Sequence, residues 1–312
     1  MHKAKRIISR VVSSLLVGFI AVSITFFMMH CVKGDPYTAS NERISVQAKE
    51  QYVAENDLDK PLVYQYLLFL RRLLLYGDSG VSLYNRTTTV NDIVDDALPA
   101  SVLLGLSAII AGNIIGIIAG TVSGYAGSYR TKRWLSSLCI IGISIPSFVL
   151  APLLQYIFAV KLKLVPVSGW GELPHMILPV LCLLPSTVAT TTKYIANGVE
   201  SVRSSNYYIA SVQRGFSERY IFFHHVLKNV FTPLITVLVS SVSGIFAGSF
   251  IVEKLFSIPG IGRQFMDAVS CRDYPIIIGL NILVVSTYVV ARLIGDILLE
   301  LINPRSREVL CE

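Results

Sequence analysis

Six apolar runs constrain this 312-residue chain more than any other feature, each long enough to cross a bilayer and each set off by polar sequence: 11–31, 98–125, 134–158, 176–195, 230–252 and 276–302. About 20 apolar residues in a helix match the hydrocarbon thickness. With no water there to satisfy backbone amides, an isolated run of that length crosses as a helix. The balance of residues agrees, with 53% hydrophobic and only 15% charged, where a soluble domain carries about a quarter charged. The expected fold class is therefore an all-α integral membrane protein with six transmembrane helices and both termini on one side.

The first run follows Lys3, Lys5, Arg6 and Arg10, the charge pattern of a secretory signal. It is too long for a signal h-region and has no small-x-small cleavage site. The Met-Met-His before Cys31 makes no lipobox, so a retained first helix is expected. Residues 32–97 are polar, with an amphipathic leucine- and tyrosine-rich segment at 60–76 and turn chemistry at Gly34-Asp35-Pro36 and Gly77-Asp78-Ser79-Gly80. They predict a small extramembrane domain of one or two helices.

Within the second run Gly112, Gly116, Gly120 and Gly124 recur every fourth residue, a stripe that lets another helix approach closely in lipid. The third run carries Ser144-Ile145-Pro146-Ser147 near its middle, where proline removes one intrahelical hydrogen bond and kinks the helix. Such a kink serves packing or lines a pathway, since irregular backbone is tolerated beside cavities. The fourth run contains Pro179 and Pro185 and is expected to end in a threonine-rich turn at 187–192. The sixth holds Arg292 and Asp296, spaced to pair on one helix face. Intramembrane charges need partners, so an internal ion pair is expected there.

Between the fourth and fifth runs lies a polar, basic stretch, 206–228, NYYIASVQRGFSERYIFFHHVLK. Asn206 is expected as an N-cap, with Tyr208, Ile209 and Val212 on one face of a short helix. Gly215 would end that helix in the left-handed conformation, and Ser217-Glu218 would start another. The result is a bent bracket between two spans.

The net charge of +7 does not point to nucleic acid. Lys and Arg crowd the N-terminal tail and the short loops on its side, which makes the N-terminus and 206–228 cytoplasmic by the positive-inside rule. Cys31, Cys139, Cys182, Cys271 and Cys311 are scattered, with no CxxC and no metal spacing. The glycines at 260 and 262 have no following Lys-Ser/Thr, so no P-loop is present. A membrane enzyme would have His224-His225 as its best centre, but adjacent histidines face different ways and no HExxH accompanies them. Neither a catalytic residue nor a metal site is expected. A stand-alone channel or secondary carrier would leave the bracket unexplained.

The order Tyr207, Ala210-Ser211, Arg214-Gly215, Ser217-Glu218-Arg219, His225, Leu227-Lys228-Asn229 and Pro233 resembles the cytoplasmic coupling loop of bacterial ABC-importer permeases. The greatest likeness is to the B-type subunit of oligopeptide and dipeptide permeases. Further strings resemble the same family in the same order: Gly34-Asp35-Pro36, GDSGVS at 77–82, VPVSGWG at 165–171, FSIPGIG at 256–262, CRDYP at 271–275 and Asn303-Pro304-Arg305. The chain departs from the family pattern at Asn206 and Asn303, where aspartate is usual, and at Ile209 and Val212, where arginines are common.

The resemblance implies the type I ABC importer permease fold. It would consist of a first helix plus small extracytoplasmic region over 1–97, a five-helix transmembrane domain over 98–305, and a short cytoplasmic tail, 306–312. It implies that Asn206, Tyr207, Tyr208, Ala210, Ser211, Arg214, Gly215, Glu218 and His225 engage an ATPase. Ser144, Pro146 and Ser147 are candidates for the translocation path. Implied partners are a second homologous permease subunit, two ATPase subunits and an extracytoplasmic substrate-binding protein, with membrane lipid around them. This chain would bind no cofactor, ATP and Mg residing on the partners. The implied location is the bacterial cytoplasmic (inner) membrane. The implied cargo is a dipeptide or oligopeptide, with nickel or glutathione carried by some relatives.

Overall fold

The computed structural model describes residues 2–31 and 59–302, apart from 84, 86 and 127. Gly34-Asp35-Pro36 and Asn303-Pro304-Arg305 lie outside the described residues. The described residues are helical almost throughout, in eleven α-helices: α1 (His2–Cys31), α2 (Leu62–Tyr76), α3 (Val90–Tyr125), α4 (Tyr129–Ser144), α5 (Ser147–Leu154), α6 (Leu173–Arg203), α7 (Asn206–Gln213), α8 (Glu218–Ile221), α9 (Leu227–Leu255), α10 (Ile261–Cys271) and α11 (Tyr274–Ile302). Two π-helical segments extend them, Gln155–Lys161 after α5 and Phe222–Val226 between α8 and α9. Four single helices meet the length and apolarity of a membrane span among the residues searched, and α4 with the α5 segment forms a bent fifth candidate.

The chain forms two units. The first comprises residues 1–101 and 259–289. Its core gathers Val90 and Ala97 of α3, Ile261 and Ala268 of α10, and Ile276, Ile277 and Leu280 of α11. Asn281 of α11 donates from its Nδ2 to Thr25 Oγ1 of α1. As expected, α2 occupies the amphipathic segment and ends at Gly77, whose φ of +61° turns the chain out of the helix. Between the fifth and sixth apolar runs lies α10. Ile261, Phe265 and Ala268 fall at i, i+4 and i+7 on the face that joins the core.

The second unit comprises 102–258 and 290–312, and the glycine stripe organises it. A Cβ added at Gly112, Gly116, Gly120 or Gly124 would come within 2.8, 2.6, 2.6 or 2.5 Å of Thr187, Thr191, Ile195 or Val199. Those partners also recur every fourth residue, so two straight ridges interdigitate along α3 and α6. The threonine-rich segment is accordingly not a turn, contrary to expectation. Thr187, Thr191 and Thr192 are buried inside α6, which runs on to Arg203. The methyl groups of Thr187 and Thr191 enter the grooves that glycine leaves, while Thr191 Oγ1 donates to Asn113 Oδ1 at 2.8 Å and Thr192 Oγ1 to the Gly116 carbonyl.

The third run is a second correction. In place of one kinked span, α4 stops at Ser144 and α5 leaves at 95° to it. Ile145 and Pro146 are extended, with ψ of 114° and 138°. A residue preceding proline is pushed out of the helical region, and here two residues leave it, which breaks the helix outright.

Candidate functional site

The bracket at 206–228 forms a helix, an elbow and a second helix. Ser205, not Asn206, occupies the N-cap position, with extended backbone (φ −80°, ψ 147°), while Asn206 is already helical. Gly215 has φ of +79°. Past the elbow Ser217 caps the next helix, its Oγ accepting from Tyr220 N–H at 3.3 Å.

Burial divides this segment into two faces. Inward, Ile195, Val199 and Val202 of α6 form one cluster with Ile221, Val226 and Val230, and Tyr208 and Phe222 pack against it. Ser211 is also buried, its Oγ donating to the Tyr207 carbonyl at 2.8 Å. Ile221 and Val226 are five residues apart, a separation that an α-helix would turn to different faces. The π-helical turn between them adds a residue per cycle and brings both into one cluster. Outward, Tyr207, Ile209, Val212, Arg214 and Gly215 are exposed and Ala210 is half-buried. Beyond the elbow Phe216 stacks on Tyr220 at 4.9 Å and Tyr220 on His224 at 4.1 Å, all three exposed. The side chains of Glu218 and His225 lie outside the described residues.

Three contacts that the sequence reading missed fix the root of the bracket. Arg203, the last residue of α6, donates through Nη1 to the Gly124 carbonyl at 3.0 Å. Its guanidinium lies 5.2 Å from the Tyr125 ring centre. Lys132 of α4 pairs with Glu200 of α6 at 3.0 Å. Basic residues near helix ends looked like topology signals, and nothing in the sequence marked one as a clamp.

The other candidates are placed less tightly. Ser144 and Pro146 are exposed and Ser147 half-buried at the α4–α5 break. Ser144 Oγ returns to the Ile140 carbonyl at 2.7 Å. Of the expected Arg292–Asp296 pair, Arg292 is exposed and Asp296 half-buried on α11. Gly295, between them in the helix, packs closely against Val239. No group of three or more potential metal-ligating side chains occurs among the described residues.

Two pairs of the sequence strings meet in space. Asp273 of CRDYP is buried and accepts at Oδ2 from Ser82 Oγ and at Oδ1 from Leu83 N–H at 3.1 Å, which binds that string to GDSGVS. Gly169 N–H of VPVSGWG donates to the Phe256 carbonyl of FSIPGIG at 2.9 Å.

Residues 112–308 match the family model described as "Binding-protein-dependent transport system inner membrane component". The chain belongs to that family. The dipeptide transport system permease protein DppB of Lactococcus lactis subsp. cremoris (strain MG1363) is 32% identical over 303 residues, 97% of this chain and 99% of that one. DppB of Bacillus subtilis (strain 168) is 33% identical, with 92% of each chain covered. The oligopeptide transport system permease protein OppB of Haemophilus influenzae is 33% identical over 97% of this chain and 99% of its own. Among solved structures, an inward-facing conformation of the MetNI methionine ABC transporter aligns with a TM-score of 0.53. It covers 68% of this chain and 96% of the matched one at 15% identity, a likeness of fold.

Proposed function

We propose that this chain is the membrane-spanning permease subunit of an ATP-driven, binding-protein-dependent importer of dipeptides or oligopeptides, with 206–228 as its cytoplasmic coupling segment. The peptide cargo rests on the names of relatives similar along almost the whole chain. In this reading six helices cross the inner membrane, counting α9, whose sequence is apolar over 230–252, and taking α4 with α5 as one broken span. Both termini are cytoplasmic and the region between α1 and α3 is extracytoplasmic. A second permease subunit, two ATPases and an extracytoplasmic binding protein complete the machine. ATP and Mg are held by the ATPases, and this chain contributes motion instead of catalysis.

The observation that carries the proposal is the two-faced bracket. Tyr208, Ile221 and Val226 are packed into the α6–α9 cluster, so a load on this segment reaches the spanning helices through close contacts. Its opposite face, with Ile209 and Val212 about half exposed, remains open to a partner. A solvated connection would have no such inward anchor.

The test is ATP-dependent peptide uptake in vesicles reconstituted with all subunits. Gly215→Val should abolish uptake while membrane insertion and permease pairing persist. No atom lies within 4 Å of a Cβ added there, so the penalty is the positive φ, an outlier for a β-branched residue. Gly215→Asn should retain much of the activity, because asparagine visits that conformation. Ala210→Trp should weaken ATPase capture by spoiling the outward face. Normal uptake in both Gly215→Val and Ala210→Trp refutes the coupling assignment.

A further inference from the structure

Helix α2 is apolar nearly all round, with only Gln65, Arg71 and Arg72 among its leucines, valine and aromatic residues, and none of its residues is buried. One face is fixed to α1. Tyr66 hydroxyl and Ser23 Oγ share a hydrogen bond, the Tyr66 ring lies 5.1 Å from Phe27, and Phe69 stacks on Phe26 at 5.3 Å. On the flank of that face Val63, Leu67 and Leu74 are 64%, 59% and 76% exposed. At i, i+4 and i+11 these three form one stripe.

The position of this helix along α1 decides what covers the stripe. The apolar stretch Val11–Cys31 of α1 is long and apolar enough to cross a bilayer. Ser23, Phe26 and Phe27 precede its end by eight, five and four residues. At 1.5 Å per residue the anchors of α2 therefore sit about 12, 8 and 6 Å inside the end of the span. A helix held at that depth is not in water. It matches the seat of an interfacial amphipathic helix, whose apolar face sinks about 5–10 Å into the headgroup–acyl boundary. Tyr64 and Tyr76 supply the amphipathic rings favoured at that boundary. Arg71 and Arg72 supply charges that reach up to headgroups along apolar stems.

We propose that α2 is a membrane-interface helix, embedded in the leaflet at the Cys31 end of α1, with the Val63–Leu67–Leu74 stripe covered by lipid acyl chains. The inference needs α1 to cross the bilayer and is independent of the transport reading, so either can fail alone. It changes the expected character of the region between the first two spans from a water-borne domain to one anchored in lipid.

A nitroxide spin label placed at Leu67→Cys, or separately at Leu74→Cys, tests it in the full chain with native cysteines replaced, reconstituted in phosphatidylcholine–phosphatidylglycerol vesicles. Both sites are exposed, so neither substitution removes a core contact. At both, collision with oxygen, which concentrates in hydrocarbon, should exceed collision with a water-soluble nickel chelate several-fold. Chelate access equal to that of a freely dissolved nitroxide would place the stripe in water and overturn the proposal. Low access to both relaxants would show a protein partner on the stripe and overturn it equally.

Discussion

Replacing Gly120 with alanine sets helix propensity against packing, and the two predict opposite signs. In an exposed helix interior, glycine to alanine stabilises by about 0.5–1 kcal/mol. At Gly120, however, the new Cβ would lie 2.6 Å from Ile195 Cβ and 2.7 Å from the Thr192 carbonyl oxygen. Carbon atoms in good contact are about 3.5–4.0 Å apart, so the backbones must part by about 1 Å. A backbone carbonyl has no rotamer with which to step aside. Parting α3 from α6 also strains the buried Asn113–Thr191 bond of 2.8 Å and the Arg203–Gly124 bond of 3.0 Å. Overpacking of this kind costs about 1–3 kcal/mol, enough to reverse the propensity gain. Gly18→Ala is the internal control, because its nearest neighbour, Val289 Cγ2, is 3.9 Å away. Thermal unfolding of the detergent-solubilised protein, followed by intrinsic fluorescence, should show a lowered Tm for Gly120→Ala and an unchanged or raised Tm for Gly18→Ala. Equal Tm values for the two variants would refute the close α3–α6 contact.

Ser82→Ala removes a buried donor from Asp273 and should cost about 1–3 kcal/mol. Adding Asp273→Ala should cost less than the sum of the single changes, measured as a double-mutant cycle in urea. Arg203→Lys keeps the charge but loses the planar fork over Tyr125, and should lower Tm, since a cation–π contact contributes about 0.5–1 kcal/mol. An unchanged melting curve for that variant would remove Arg203 from the clamp. Lys132→Ala breaks only an exposed ion pair with Glu200, and its effect should stay within about 1 kcal/mol. A larger loss on the same melting assay would mean that the pair is shielded from solvent.

The features legible in the sequence were those written in local periodicity. The glycine stripe announced a close helix contact because four-residue spacing puts Gly112 through Gly124 on one line, whatever their partner. Gly215 announced its elbow because few other residues take φ of +79°. The illegible features depended on the partner. Threonines at 187–192 look like a turn until glycine grooves receive the methyl groups of Thr187 and Thr191. Proline at 146 promised a kink. That two residues would become extended and bend the chain by 95° depends on packing that the local sequence does not contain.

The same distinction explains why the family strings gave no hint of their purpose when read singly. GDSGVS and CRDYP are each turn chemistry, and about 190 residues separate Ser82 from Asp273. Once paired, they become a buried carboxylate satisfied by a hydroxyl and a backbone amide, an arrangement in which either string without the other leaves an unsatisfied group. The bracket follows the same logic at a larger scale. Its inward residues join α6 and α9 in one cluster to which Ile117 and Tyr125 of α3 also contribute. Arg203 ties the end of α6 to the end of α3, and the glycine ridge locks those two helices at four successive contacts. Close-packed contacts resist stretching, so on the proposed coupling reading a displacement at 206–228 would carry residues 102–125 of α3, α6 and the start of α9 together. Loosening that packing at Gly120 should then reduce uptake even where the assembled protein survives, because the load would dissipate between α3 and α6.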